Sequence, residues 1–156
     1  MTKSDLDRVW EFIEKESIGL LTTQDGEELR TRPMGINPKR AEDAIYLLTD
    51  ARTHKAEEIE KDPNVSLTVG GGTSYVAVSA TATVTNDRQK IGELWSPFVK
   101  AWWDSPDDPD IRVLTLTPRS AEFWDSPGKV VAYVAMLAAA VTGSKAKVGE
   151  NRKVAM

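Results

Sequence analysis

Two arginines at alternate positions are the first residues of this chain whose spacing could serve chemistry. They lie in the segment Arg30-Thr31-Arg32-Pro33-Met34. Because side chains alternate between the two faces of a β-strand, Arg30, Arg32 and Met34 share one side. A buried guanidinium needs an anionic or polar partner, and a phosphate or the polar edge of a ring supplies one. The segment also fits an edge strand whose arginines face solvent and whose proline prevents further pairing.

A second candidate site lies where a predicted strand gives way to a predicted helix. Leu48 and Thr49 end the strand, Thr53 begins the helix, and Lys55 lies in its first turn. The free N–H groups at a helix start attract anions, and Thr53 could either cap the helix or donate its hydroxyl to a phosphate. The alternative interpretation is an ordinary N-cap with solvated basic neighbours.

His54 and the tryptophans are the remaining candidates. His54 is the only histidine of the chain, and we assign it no more than a contact role. Trp95, Trp102, Trp103 and Trp124 lie close together in the sequence. Their rings could flank a planar heterocycle, although core packing or a dimer interface is the usual role of such residues. Trp124 ends a predicted strand, where its ring could lie against a ligand.

Composition excludes several kinds of site. The chain has 156 residues, no cysteine and one histidine. Disulfides, thiolate metal sites, thiol catalysis and a multi-histidine metal site within one chain are therefore excluded. No P-loop, dinucleotide-binding glycine motif or nucleophile-elbow motif is present. Redox chemistry supplied by a bound cofactor is then the natural enzyme hypothesis.

Charge and hydropathy indicate the compartment. With 20 Lys and Arg against 24 Asp and Glu, the net charge is −4, which disfavours nucleic-acid binding. The first residues lack the apolar core of a signal peptide. The longest apolar run, 130–141, is short of the roughly 20 residues that a membrane span takes. We expect a soluble cytoplasmic protein with neither nucleic acid nor membrane as partner.

Hydrophobic periodicity predicts an α+β protein, mainly β, in a single domain. We assign residues 1–142 to this domain and 143–156 to a polar C-terminal tail. The predicted elements are helices at 5–16, 53–61, 88–103 (interrupted at Pro97) and 129–142, and strands at 18–23, 28–36, 45–49, 65–69, 75–85, 111–117 and 121–124. Six or seven short strands with interspersed helices favour an antiparallel β-barrel with peripheral helices.

Taken in order, these segments resemble the FMN-binding split barrels of the pyridoxamine 5'-phosphate oxidase-like superfamily, and more narrowly the general stress protein 26 group. The resemblance covers roughly residues 5–128. It is carried by the segments 19–23, 30–34, 48–50 and 53–55, and by the later segments 75–79, 107–109 and 121–124.

The resemblance implies a homodimer that holds FMN at its subunit interface in a split barrel. It places the strand carrying Arg30, Thr31, Arg32, Pro33 and Met34 along the flavin ring and ribityl chain. The phosphate would contact Thr53, His54 and Lys55, and Trp124 would approach the flavin of the other subunit. Cofactor contacts are also expected for the strand-end pair, Leu48 and Thr49.

The chain departs from true pyridoxamine 5'-phosphate oxidases at its C-terminal end. It lacks their substrate-binding Arg-Leu-x-Pro segment, so synthesis of pyridoxal phosphate is not expected. An FMN-dependent oxidoreductase and a non-catalytic flavin-binding or flavin-storing stress protein both remain open. FAD is the alternative flavin, and a deazaflavin or haem in the same barrel is the third alternative.

Overall fold

The computed structural model describes residues 4–125, 129–143, 145 and 149–156. Its strands are β1 (Ile18–Asp25), β2 (Glu28–Gly35), β3 (Asn37–Lys39), β4 (Ala44–Asp50), β5 (Asn64–Gly71), β6 (Ser74–Thr85), β7 (Ile111–Asp125) and β8 (Glu150–Ala155). Its α-helices are α1 (Asp5–Glu14), α2 (His54–Lys61), α3 (Arg88–Leu94) and α4 (Lys129–Thr142), and short 3-10 turns cover Arg40–Glu42 and Val99–Ala101.

The strands form one open antiparallel sheet in the order β2-β1-β5-β6-β7-β4-β3. Strand β7 is shared, because β4 pairs with its first half and β8 with its second half along the same edge. This fork splits the sheet into two branches. The predicted α+β class and antiparallel barrel-like sheet are thus confirmed, with eight strands in the described residues rather than six or seven.

The predicted strands 111–117 and 121–124 are one continuous strand, β7, so their separation was wrong. Pro118 lies between the two predicted strands, and a proline has no N–H to donate to a neighbouring strand. The register instead shifts between the pairs Ser79–Ser120 and Ala80–Pro118, which leaves Arg119 without an opposite residue. This β-bulge accommodates the proline and lets the strand continue.

Residues 143–156 were predicted as a polar tail, but they contain β8. Val154 pairs with Ala121 and is buried in the main core, whereas the other residues of β8 are exposed. One inward apolar side chain gives almost no hydrophobic pattern, so the strand depends on backbone pairing with β7.

The main core lies between α1 and the inner face of the sheet. Ser4 and Asp7 form a capping box that starts α1, and Val9, Trp10 and Ile13 follow on one face and are buried. The largest fully buried side chains of the sheet in this core are Leu21, Ile45, Leu47, Leu67, Leu114 and Leu116.

A second core lies under α3, on the other face of β4 and β7. It contains Tyr46, Ile91, Leu94, Ile111 and Val113, among others. Trp95 and Trp103 pack against it. Two of the tryptophans considered as ring flanks therefore have a packing role.

The predicted helix 88–103 is shorter in the structure. It ends at Leu94 because Trp95 has extended backbone angles, φ −64° and ψ 133°, ahead of Ser96 and Pro97. A 3-10 turn at Val99–Ala101 follows, and it leaves Phe98 and Trp102 exposed.

Helix α4 presents apolar side chains to solvent. Tyr133, Val134, Met136, Leu137 and Val141 are all more than half exposed. Across the described residues, no helix combines the length and apolar character that a membrane crossing needs.

Candidate functional site

Arg30 and Arg32 both reach Glu58 of α2. The Nη2 of Arg32 donates to Oε2 of Glu58 at 2.9 Å, and the Nε of Arg30 lies 3.9 Å from Oε1. Arg30 also forms an ion pair with Asp25 at 2.9 Å. The two arginines therefore share one face of β2, as their spacing predicts, and that face turns toward α2. Met34, the third residue of this face, packs against the main core.

Glu58 is a buried carboxylate with only 5% of its side chain exposed. Its Oε2 also accepts a hydrogen bond from the hydroxyl of buried Thr23, and that hydroxyl accepts one from Arg32. Burial opposes ionisation, but the hydrogen bonds from Thr23 and Arg32 outweigh it and hold the pKa of Glu58 below its ordinary value. Its Oε1 has no hydrogen-bond partner in the structure.

Lys55 lies one turn before Glu58 on the same helix and is partly buried. Burial, together with the nearby positive charge of Arg32, lowers the pKa of its amine. No carboxylate in the described parts of the chain forms an ion pair with Lys55. Its positive charge is therefore partly desolvated, and only the more distant charges of Glu58 and Asp50 oppose the lowering of its pKa.

The two residues before Lys55 are placed differently. Thr53 is the N-cap of α2, as predicted, but its hydroxyl donates to the carbonyl of Asp50 at 2.8 Å instead of capping the helix. The His54 side chain is 84% exposed, with Nδ1 3.8 Å from Glu57. His54 is thus accessible to a ligand but is not held in place by burial.

Leu48 and Thr49 point to opposite faces of β4. Leu48 packs against the second core, whereas Thr49 is buried on the other face. The hydroxyl of Thr49 has no hydrogen-bond partner in the structure. Unpaired buried hydroxyls are uncommon, and a water or a ligand atom usually satisfies them.

An open cleft of about 490 Å³ lies between the β1–β2 turn and α2. Gln24, Asp25, Arg30, His54 and Glu58 are among the residues that line it. Guanidinium, imidazole and carboxylate groups therefore meet in one depression that runs along α2 from His54 to Lys61. Among the described residues, no group of three or more His, Asp or Glu side chains is arranged to hold a metal ion.

The other predicted contacts lie on the outer face of the sheet. Thr31 and Pro33 are exposed there, and the Thr31 hydroxyl lies 2.8 Å from that of Thr22. Trp124 points away from the core, opposite in direction to buried Phe123. The sheet therefore separates Trp124 from Arg32 within one chain.

Next to Trp124, the outer face carries an apolar groove of about 450 Å³. It is lined by Ile18, Leu20, Gly70 and Tyr75, among others, and Tyr75 pairs with both Gly70 and Trp124. A Cβ atom on Gly70 would come within 2.7 Å of the Tyr75 ring. The tyrosine thus lies directly on the glycine backbone and forms one wall of the groove, which we call the outer groove.

Glu58 and Thr23 are site residues that were not predicted from the sequence. A signal for Glu58 existed, because Lys55, Glu58 and Ile59 lie at helical spacing and Ile59 faces the core. A carboxylate on the buried side of α2 needs a positively charged partner. The predicted strand that carries Arg30 and Arg32 could have supplied one. Thr23 carries no comparable signal, since hydroxyl residues are ordinary in strands.

The sheet is open, forked and antiparallel, and helices flank it. A basic cluster, formed by Arg30, Arg32 and Lys55, lies at its β2 end. These features define a split-barrel domain. A family model described as pyridoxamine 5'-phosphate oxidase like matches residues 4–147. The chain belongs to this family.

General stress protein 26 of Bacillus subtilis (strain 168) is 34% identical over 90 residues, which make up 54% of this chain and 64% of that protein. The match thus spans less than two thirds of the relative. A crystal structure assigned as general stress protein 26 from Jannaschia sp. CCS1 is 26% identical, with a TM-score of 0.74, and the match covers 94% of this chain and 95% of that one.

The general stress FMN/FAD binding protein of Xanthomonas citri has the same fold. It is 19% identical with a TM-score of 0.66, and the match covers 75% of this chain and 85% of that one.

Proposed function

We propose that the protein binds FMN, with the flavin phosphate at the start of α2. The observation that carries this proposal is Lys55, a partly buried amine that forms no ion pair with any carboxylate of the described residues. Arg32 lies close enough to Lys55 to lower the pKa of its amine, and the first N–H groups of α2 add partial positive charge. A phosphate would compensate these charges.

The residues present fit such a cofactor. The exposed His54 and the unpaired Thr49 hydroxyl offer further polar contacts, and the β2 backbone runs along one end of the sheet. When bound, FMN would supply the electron-transfer chemistry, and the protein would bind and orient it. The description of the Xanthomonas citri protein as FMN/FAD binding supports a flavin and keeps FAD as the alternative.

The proposed activity is that of a flavin-dependent oxidoreductase, with flavin storage as the second candidate. Reduction of the bound flavin by nicotinamide cofactors, followed anaerobically and in air, distinguishes the two. Turnover supports the oxidoreductase, whereas a flavin that no nicotinamide cofactor reduces supports storage.

A homodimer completes the proposed site. Arg32 and Trp124 lie on opposite faces of the sheet, so both can reach one flavin only if they come from different copies. The outer groove and the exposed side of α4 give each copy apolar surface for a partner to cover.

The absorption spectrum of the purified protein is the first test, because flavin, deazaflavin and haem have different spectra. The second is titration with FMN and with riboflavin, which lacks the phosphate. We expect FMN to bind more tightly and Lys55→Met to remove most of that preference. Lys100→Met, a change of an exposed lysine outside the cleft, is the control. Equal affinity for FMN and riboflavin contradicts the phosphate site.

A further inference from the structure

We propose that Glu58 is a selectivity residue, an internal counter-anion that competes with the bound phosphate for Arg32. This inference rests on the proposed FMN site. The buried carboxylate of Glu58 would lower the affinity of the site for ligands that carry more negative charge.

Positive side chains outnumber carboxylates in the network around Glu58. Three cations meet there, Arg30, Arg32 and Lys55, against two carboxylates. Asp25 pairs with Arg30 at 2.9 Å, and Glu58 pairs with Arg32 at 2.9 Å. Lys55 forms no ion pair with a carboxylate of the described residues, although the charges of Glu58 and Asp50 act on it from a longer distance. Three cations against two carboxylates leave this group with an excess of positive charge, and the helix start adds to it.

The position of the Glu58 carboxylate adds a second constraint. Its Oε2 is held by Arg32 and Thr23, while its Oε1 has no hydrogen bond and faces Arg30 at 3.9 Å. A phosphate that binds the Arg32 guanidinium must come close to this carboxylate, because Arg32 donates to it at 2.9 Å. Like charges repel strongly where water is excluded, and Glu58 is almost fully buried.

The charge of the ligand decides how large this repulsion is. A phosphate monoester carries about −1.5 to −2 near neutral pH, more than Lys55 alone compensates. Glu58 therefore reduces the advantage that FMN has over riboflavin. Removing its charge while keeping its shape frees Arg32 for the phosphate.

The experiment compares FMN and riboflavin affinities of the wild-type protein, Glu58→Gln and Glu60→Gln. Glu60 is exposed on the same helix, so Glu60→Gln is the same chemical change outside the network. We expect Glu58→Gln to tighten FMN binding on the order of tenfold, with riboflavin unchanged. Glu60→Gln should match the wild type. If Glu58→Gln fails to fold, Glu58→Met removes the same charge and gives the same comparison.

A merely structural role for Glu58 predicts the opposite sign. If Glu58 only holds Arg32 in position, Glu58→Gln weakens FMN binding, as does Thr23→Ala, which loosens the same network. Weaker or unchanged FMN binding in Glu58→Gln overturns the inference, and so does an equal gain for riboflavin. If the wild-type protein binds no FMN, the proposed function fails, and the inference fails with it.

Discussion

At the scale of single residues, the pairing of Arg32 with Glu58 dominates the site. Two ionised groups, one of them almost fully buried, satisfy each other through a 2.9 Å hydrogen bond. Such a pair contributes little net stability compared with an apolar substitute, but losing one partner leaves an uncompensated buried charge. The two arginines of β2 are consequently not equivalent, since Arg30 is half-exposed and has exposed Asp25 as its main partner.

Arg32→Met is expected to lower the free energy of unfolding by about 3 kcal/mol, because Glu58 is left buried without its cation. Arg30→Met should cost less than about 1 kcal/mol. Urea denaturation of both variants measures the difference. The double variant Arg32→Met/Glu58→Gln should recover part of the loss. Equal stability of the two single variants would show that Glu58 does not depend on Arg32.

The pH dependence of stability provides a separate prediction for Glu58. Because its pKa is lower in the folded protein than in the unfolded chain, its contribution is complete above the ordinary value of 4.5 and is lost as the pH falls through the folded value. The wild-type protein should therefore lose stability more steeply than Glu58→Gln as the pH falls below about 4.5. Thermal unfolding at several pH values tests this, and parallel curves would contradict it.

The sequence predicted the arginine face but not its partner, for a physical reason. Strand periodicity is local, so the shared side of Arg30 and Arg32 follows from their spacing alone. Glu58 comes from a helix that follows in the sequence, and its burial depends on how α2 packs against β1. That the Thr49 hydroxyl and the Oε1 of Glu58 lack hydrogen-bond partners among the described residues is likewise visible only after the chain has folded.

At the scale of elements, β7 organises the molecule. It joins the main core to the second core and pairs with β6, β4 and β8. Most helices and strands could be predicted from the sequence because their apolar residues recur at the regular spacing of a helix or a strand. The sequence did not predict the continuity of β7, which depends on a bulge, or β8, which has one buried residue. Both depend on partner strands rather than on local pattern.

Removing residues 149–156 should destabilise the protein and promote its aggregation. The loss of β8 uncovers the edge of β7 from Ser120 to Asp125 and exposes Phe123 and Ala121 of the main core. Melting temperature and light scattering measure the two effects. Lys153→Ala, an exposed change within β8, should leave both unchanged. A truncated protein with wild-type melting behaviour would contradict this role of β8.

At the scale of the whole molecule, the two faces of the sheet have different tasks. The inner face carries the core and the basic cluster, whereas the outer face carries the outer groove and Trp124. A homodimer that shares its flavin sites uses both faces at once. Cofactor binding would then stabilise the dimer by mass action.

Leu20→Glu is expected to weaken this proposed dimer. Leu20 is 45% exposed in the outer groove, so the charge can be accommodated in a monomer but not in an apolar interface. Sedimentation at micromolar concentration, with and without FMN, measures the association. Leu29→Glu, at an exposed position near the start of β2 and outside the lining of the outer groove, is the control. A wild-type monomer with stoichiometric FMN would rule out the shared site.

The contact between β8 and α1 also has a consequence for the order of folding. The Arg8 guanidinium reaches Glu150 at 3.3 Å and Asp125 at 3.1 Å, and Arg152 lies 3.6 Å from Asp5. Contacts between residues so distant in sequence cost the most chain entropy to close, so they form late. The β1–β2 hairpin and the β5–β6 pair close over short loops and can form early. Until β8 pairs with β7, the second half of β7 has one unpaired edge. A folding chain is therefore most prone to associate with another chain before this pairing forms.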